Sequence, residues 1–205
     1  MRQPGSTFKL FVYTEAMNQG LTPCDKRRDE YIRMQVYDKN KHEMTSWTPT
    51  NANGRFSGDS IPLKSAFAKS INSIAVRLGQ EMGIKNIAKT AHDMGIKSPL
   101  DEEPSLALGA SDVNLLEMVN AYCTIANDGK HIEPVLVTRI VDKDGREVYV
   151  KFYRGKTSYT IIKAHSSCNS YLWVVCVNQV EHLKVYGHIL TLHVIQTWRQ
   201  DRNIK

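Results

Sequence analysis

No run of roughly eighteen apolar residues occurs in the 205-residue chain, so no segment of it reads as a membrane span. An export signal is not expected either, because the first candidate chemical group stands at residue 6 with no room for a signal ahead of it. Any exporting or anchoring segment of a parent protein is therefore expected outside this chain. The four cysteines, Cys24, Cys123, Cys168 and Cys176, never fall at C-x-x-C spacing, which gives neither a zinc site nor a disulfide framework. Buried free thiols are the expectation. DKDG at 142–145 is too short for a calcium loop of the EF-hand kind. GKT at 155–157 would need a glycine where Val150 stands to be a phosphate loop. His188 and His193, five apart, match no metal motif. No cofactor and no metal are expected.

Acidic residues and proline are missing from one part of the chain only. Residues 151–205 hold two Asp+Glu against eight Lys+Arg, no proline, and four of the seven histidines. Residues 1–150 hold 19 basic and 19 acidic residues, so the net +6 belongs wholly to the last 55 positions. A nucleic-acid partner inferred from overall charge therefore fails. Two compositions meet near residue 150, and the chain divides into residues 1–150 and a basic stretch, 151–205, that is expected to be foreign or frame-shifted. Its apolar runs YLWVVCV and HILTLHVI would be aggregation liabilities if exposed.

What is present before residue 150 is locally consistent. Hydrophobic content of 41% with 23% charged residues suits a soluble globular protein with one good core. Residues 7–19 read as a helix stopped by Gly20. Residues 21–61 are polar and read as a long loop, with a short hairpin at EYIRMQVYD. Helical patterns follow at PLKSAFAK, IAVRLGQEM, IKNIAKTAHDM and LLEMVNAYCTIAN, the last with apolar positions Leu115, Met118, Val119, Tyr122, Ile125 and Ala126. Residues 62–129 should thus form a helical subdomain with Ala66, Phe67, Ala75, Val76, Leu78, Met118, Val119, Tyr122 and Ile125 in its core. VLVTRIVDKDGREVYV, residues 135–150, reads as a hairpin at the edge of a sheet.

Two short stretches carry chemistry. In RQPGSTFK, Pro4-Gly5 reads as a turn leading into a helix, and Ser6 and Lys9 stand at i and i+3 on one face. A serine there is an activated nucleophile or simply a helix cap with a solvated lysine nearby. In KSINS, Ser70 and Asn72 lie two apart at a helix–helix junction, where they point into a cleft or satisfy helix ends. The combination S-x-x-K with S-x-N belongs to serine acyltransferases that recognise penicillin.

The likeness extends further. RQPGSTFK resembles the R-x-P-G-S-x-x-K nucleophile motif of the transpeptidase domain in bifunctional (class A) penicillin-binding proteins. WTPTNANGRFSGDSIPLKSAFAKSINSIAVRL resembles their W-x-P-x-N…L-x-x-A-x-x-x-S-x-N-x-x-A-V stretch, and SLALGASDVNLLEMVNAYCTIANDGKHIEPVLVTRI their L-A-L-G…A-Y…A-N-x-G…P block. The order and the 64-residue gap from Ser6 to Ser70 agree with that family.

The resemblance implies an α+β class. It is a partial penicillin-binding, serine transpeptidase fold: mainly the helical subdomain, a β-hairpin and a remnant of the central sheet. It implies catalytic Ser6, Lys9, Ser70 and Asn72, with peptidoglycan stem peptides and β-lactams as partners. The parent protein would be membrane-anchored and act on the periplasmic face of the cell membrane. Two parts of the family pattern are not matched. The sheet strands that precede S-x-x-K would lie before Met1. The K-T-G motif has only GKTS at 155–158 to represent it, 86 residues from Ser70 to Lys156 and with Ser158 in place of the glycine. The function implied is thus a fragment of a D,D-transpeptidase, impaired if K-T-G is absent. The alternatives are a non-catalytic remnant of such a domain, or a related serine hydrolase such as a β-lactamase; the W-x-P-x-N and LALGA blocks favour the transpeptidase over the β-lactamase.

Overall fold

The structure is a computed structural model that describes residues 1–38, 42–127, 129–150 and 158–160. After a 3-10 turn at Gly5–Phe8, helix α1 runs Lys9–Asn18, and its residues 9–16 are all buried. A helix buried on every side lies in the middle of a core, and its polar residues Lys9, Thr14 and Glu15 are buried with the rest. α1 is therefore the axis around which α3 (Asn72–Met82) and α4 (Ile84–Asp93) pack, with the shorter α2 (Leu63–Ala68) alongside. A second 3-10 turn at Pro104–Leu108 and helix α5 (Leu115–Ala126) complete the helical subdomain expected over 62–129.

Three helices end in the same way. At α1, the Leu21 amide donates to Ala16 O and the Gly20 amide to Met17 O, with Gly20 at φ +99°. At α4, the same pair of bonds runs from Ile96 to Ala91 and from Gly95 to His92. These are Schellman ends, with glycine in the left-handed position. α2 repeats the pattern, Ile71 to Ala66 and Ser70 to Phe67, but the left-handed residue is Ser70, at φ +54°.

The stretch 21–61 is more ordered than its polar composition suggests. Strand β1 (Lys26–Arg28) pairs antiparallel with β4 (Ser60–Pro62) and closes the excursion at its base. The hairpin inside it is β2 (Met34–Asp38) with β3 (Glu43–Trp47), later and longer than EYIRMQVYD. β1 reads Lys-Arg-Arg, with no apolar alternation to mark it; partner strand and the Arg27–Glu81 ion pair (2.8 Å) to α3 hold it instead. Beyond α5 come β5 (Lys130–His131), the hairpin of β6 (Arg139–Val141) and β7 (Glu147–Val150), and β8 (Ser158–Thr160), which pairs with β5. Asp142 Oδ1 accepts from the Asp144 and Arg146 amides and fixes the DKDG turn. Residues 135–138 stay outside the hairpin, which forms a two-stranded sheet of its own among the described residues rather than the edge of a larger one. The class is α+β, as expected.

Of the expected core, Ala66, Phe67, Ala75, Val76, Leu78, Met118 and Ile125 are buried, while Val119 and Tyr122 are half-buried. Leu115, assigned to the apolar stripe of α5, is 73% exposed. The buried face is instead Met118, Ala121 and Ile125 with Asn120 and Thr124, because the Thr124 hydroxyl is satisfied by Asn120 O (3.2 Å) and so tolerates burial. Cys24 is exposed, not buried, since it sits in the turn between Thr22 and Asp25. Cys168, Cys176, His188 and His193 lie outside the described residues.

Candidate active site

The structure brings Lys9, Ser70 and Asn72 together. Lys9 is the first residue of α1 and has no exposed surface. An ammonium has three protons to place, and the three acceptors are here: Ser70 O at 2.7 Å, Ser70 Oγ at 2.9 Å and Asn72 Oδ1 at 2.5 Å. The orientation of the Asn72 amide is fixed from its other end, where Nδ2 donates to Thr50 O at 2.7 Å. Burial lowers the Lys9 pKa to about 8. At neutral pH about a tenth of the amine is then unprotonated, enough to serve as a base.

Ser70 reaches Lys9 because of its backbone. In the left-handed position after α2, its carbonyl and its hydroxyl both turn onto the amine. A non-glycine residue there costs about 1–2 kcal/mol, and strain of this kind gathers at functional sites. Ser70→Ala and Ser70→Gly both lose the hydroxyl, yet the glycine variant should be the more stable of the two by about 1 kcal/mol in urea unfolding. Equal stabilities would mean that the backbone is not strained.

Ser6 lies exposed in the 3-10 turn, three residues before Lys9. Ser6 stands one turn ahead of Lys9, but the three acceptors of the Lys9 amine do not include Ser6 Oγ. The turn is held from outside. Arg2 and Val113 form an antiparallel bridge, the Gly5 amide donates to Gly109 O at 3.2 Å, and the Tyr122 hydroxyl donates to Thr7 O at 3.1 Å. Gly109 has to be glycine on two counts: its φ is +73°, and a Cβ there would lie 2.2 Å from Gly5 O. The LALGA segment is thus the seat of the turn that carries Ser6.

Asn51, of WTPTN, was not among the candidate residues, yet it shapes the site. α3 has no cap of its own, since Ile71 offers no side-chain acceptor. Asn51 Oδ1 accepts instead from the Asn72 amide (3.0 Å) and the Ser73 amide (3.2 Å), a cap supplied from 21 residues upstream. Only the W-x-P-x-N pattern pointed at it, because such a cap leaves no local signal. Lys156 lies outside the described residues; of GKTS, Ser158 begins β8, opposite His131 of β5. Among the described residues no group of three or more His, Cys, Asp or Glu could hold a metal, and no helix is long and apolar enough to cross a membrane.

Comparisons with known proteins point to one family. Penicillin-binding protein 2D of Bacillus subtilis is 38% identical over 148 residues, 72% of this chain and 21% of that protein. Penicillin-binding protein 1A of Rickettsia felis is 36% identical over 149 residues, 73% of this chain and 18% of that protein. The chain therefore spans about a fifth of the length of these curated relatives. Among solved structures, penicillin-binding protein 1A from Haemophilus influenzae superposes with a TM-score of 0.64 at 32% identity, over 72% of this chain and 21% of that one. PonA1 from Mycobacterium tuberculosis, at 21% identity, shares the fold with a TM-score of 0.68 over 86% of this chain and 46% of that one. The sequence pattern described as the penicillin binding protein transpeptidase domain matches residues 1–165, and with the Ser6 turn, the buried lysine and the S-x-N junction all in place, the chain belongs to that family.

Proposed function

We propose that this chain is part of a peptidoglycan D,D-transpeptidase domain that works by serine acyl transfer. The observation that carries the reading is the Lys9 amine, buried and held by Ser70 and Asn72. Ser6 Oγ attacks the carbonyl of a terminal D-Ala-D-Ala peptide, or of a β-lactam, while Lys9 takes the hydroxyl proton. Ser70 passes a proton to the leaving amine, and the second Nδ2 proton of Asn72 is offered to a substrate amide. Terminal D-Ala departs, or in a β-lactam the ring nitrogen stays attached, and the acyl-enzyme results. Attack by the amine of a neighbouring stem peptide then gives a 4→3-type cross-link and frees Ser6. The partners are stem peptides and β-lactams, and the parent is a membrane-anchored class A protein acting at the periplasmic face. Covalent capture of a penicillin on Ser6 tests the reading.

A second reading, a non-catalytic remnant, is favoured by one observation: GKTS departs from K-T-G at Ser158. That motif supplies one oxyanion donor in the family, and a missing donor costs on the order of 10²–10³ in rate. The boundary near residue 150 belongs with this question. The change of charge and the loss of proline support a foreign stretch over 151–205. Residues 151–165, which the family match includes, are where that proposal is most exposed. Limited proteolysis should cut soon after residue 151 and leave a persistent core. A protease-resistant stretch with Lys156 within hydrogen-bonding reach of Ser70 would overturn the boundary.

A further inference from the structure

We propose that Asp29, which belongs to none of the recognised motifs, is the positioning residue that sets Asn72 against Lys9. The inference rests on the reading above, in that Asn72 and Lys9 are taken as the working groups. Asp29 is 4% exposed. Its Oδ1 accepts from Ser73 Oγ at 2.5 Å and from Asn51 Nδ2 at 2.7 Å, and its Oδ2 from the Ser57 amide at 2.9 Å. Asn51, so oriented, presents its own Oδ1 to the Asn72 and Ser73 amides. Ser73 is the next residue after Asn72. The carboxylate thus grips the first turn of α3 twice, directly through Ser73 and indirectly through Asn51, and Asn72 Oδ1 is delivered to Lys9 Nζ.

The backbone of Asp29 is anchored as well, its amide donating to Asp59 O (3.0 Å) and its carbonyl accepting from Gly58 N (2.9 Å). Burial would push its carboxyl up, but the Ser73, Ser57 and Asn51 hydrogen bonds outweigh that and hold it below the usual aspartate value. A carboxylate is the group the geometry requires. Three donors converge on two oxygens, and an amide in its place would set an N–H₂ against either Ser57 N–H or the Ser73 and Asn51 donors.

The test is amide hydrogen exchange by NMR on the full, ¹⁵N-labelled chain. The Asn72 and Ser73 amides donate to Asn51 itself, so their exchange reports the link rather than the fold at large. In Asp29→Asn both should exchange on the order of tenfold faster or more, and the Lys9 Nζ resonance should shift. Ser98→Ala, which removes a buried hydroxyl bond to Glu117 (2.7 Å), should leave all three signals alone. If Asp29→Asn fails to fold, Ser73→Ala removes one donor to the same carboxylate and should speed exchange at Asn72 by a smaller factor. Unchanged exchange at Asn72 and Ser73, or equal acceleration in Ser98→Ala, overturns the proposal. No step depends on Ser6 chemistry, so a failure of penicillin capture would count against the catalytic reading and not against this link.

Discussion

Ser6→Ala should leave the chain unlabelled by a fluorescent penicillin that is expected to mark the wild type, and Lys9→Ala should slow labelling by on the order of 10²–10⁴. The two effects differ in kind. Without the Ser6 hydroxyl the proposed ester has no oxygen of its own to form on, so nothing is left to slow. Without Lys9 the hydroxyl remains, but Ser70 and Asn72, which hold the amine among the described residues, offer its proton no acceptor of suitable basicity. The wild-type rate should rise with pH and level off near 8, where Lys9 gives up its proton. Labelling that persists in Ser6→Ala would remove the assignment. A pH-independent rate would remove Lys9 from the role of base.

Stability should carry the same signature. The unfolded lysine keeps its proton to the ordinary value of 10.5, whereas the folded one releases it at about 8. Between those limits the unfolded state binds more protons, so unfolding free energy rises with pH, by about 3 kcal/mol across the window. Below pH 8 both states are protonated and the cost of the buried charge is felt in full. Lys9→Met has no such charge and should lack the rise. Tyr13 works the other way: burial pushes its phenol up, so the unfolded chain loses that proton first and stability falls at high pH. Both proteins share that fall, and the difference between their urea-unfolding curves isolates Lys9. A flat difference from pH 7 to 10.5 would mean the amine is hydrated in the folded chain.

The helices were legible in the sequence because their information is local. Gly20, Gly83 and Gly95 stop their helices where the apolar periodicity ends, and all three have positive φ. Ser6, Lys9, Ser70 and Asn72 were legible as motifs, but not how they meet. That depends on the left-handed turn at Ser70, a residue with no sequence preference for it, and on a cap borrowed from Asn51. Asp29 was illegible for the same reason: a carboxylate in a polar loop looks solvated until Ser73, 44 residues away, closes over it. β1 was missed because three basic residues make a strand only when β4 pairs with them. The exposed Leu115 shows the converse, an apolar position whose helical spacing was right but whose face was wrong.

The most direct test is to find where a penicillin goes. After the folded chain is incubated with penicillin and then denatured, trypsin should release QPGSTFK, residues 3–9. The account predicts one acyl adduct, on that peptide and on Ser6 within it, absent when the chain is unfolded before exposure. An adduct on any other peptide, or none on a folded chain, would contradict it.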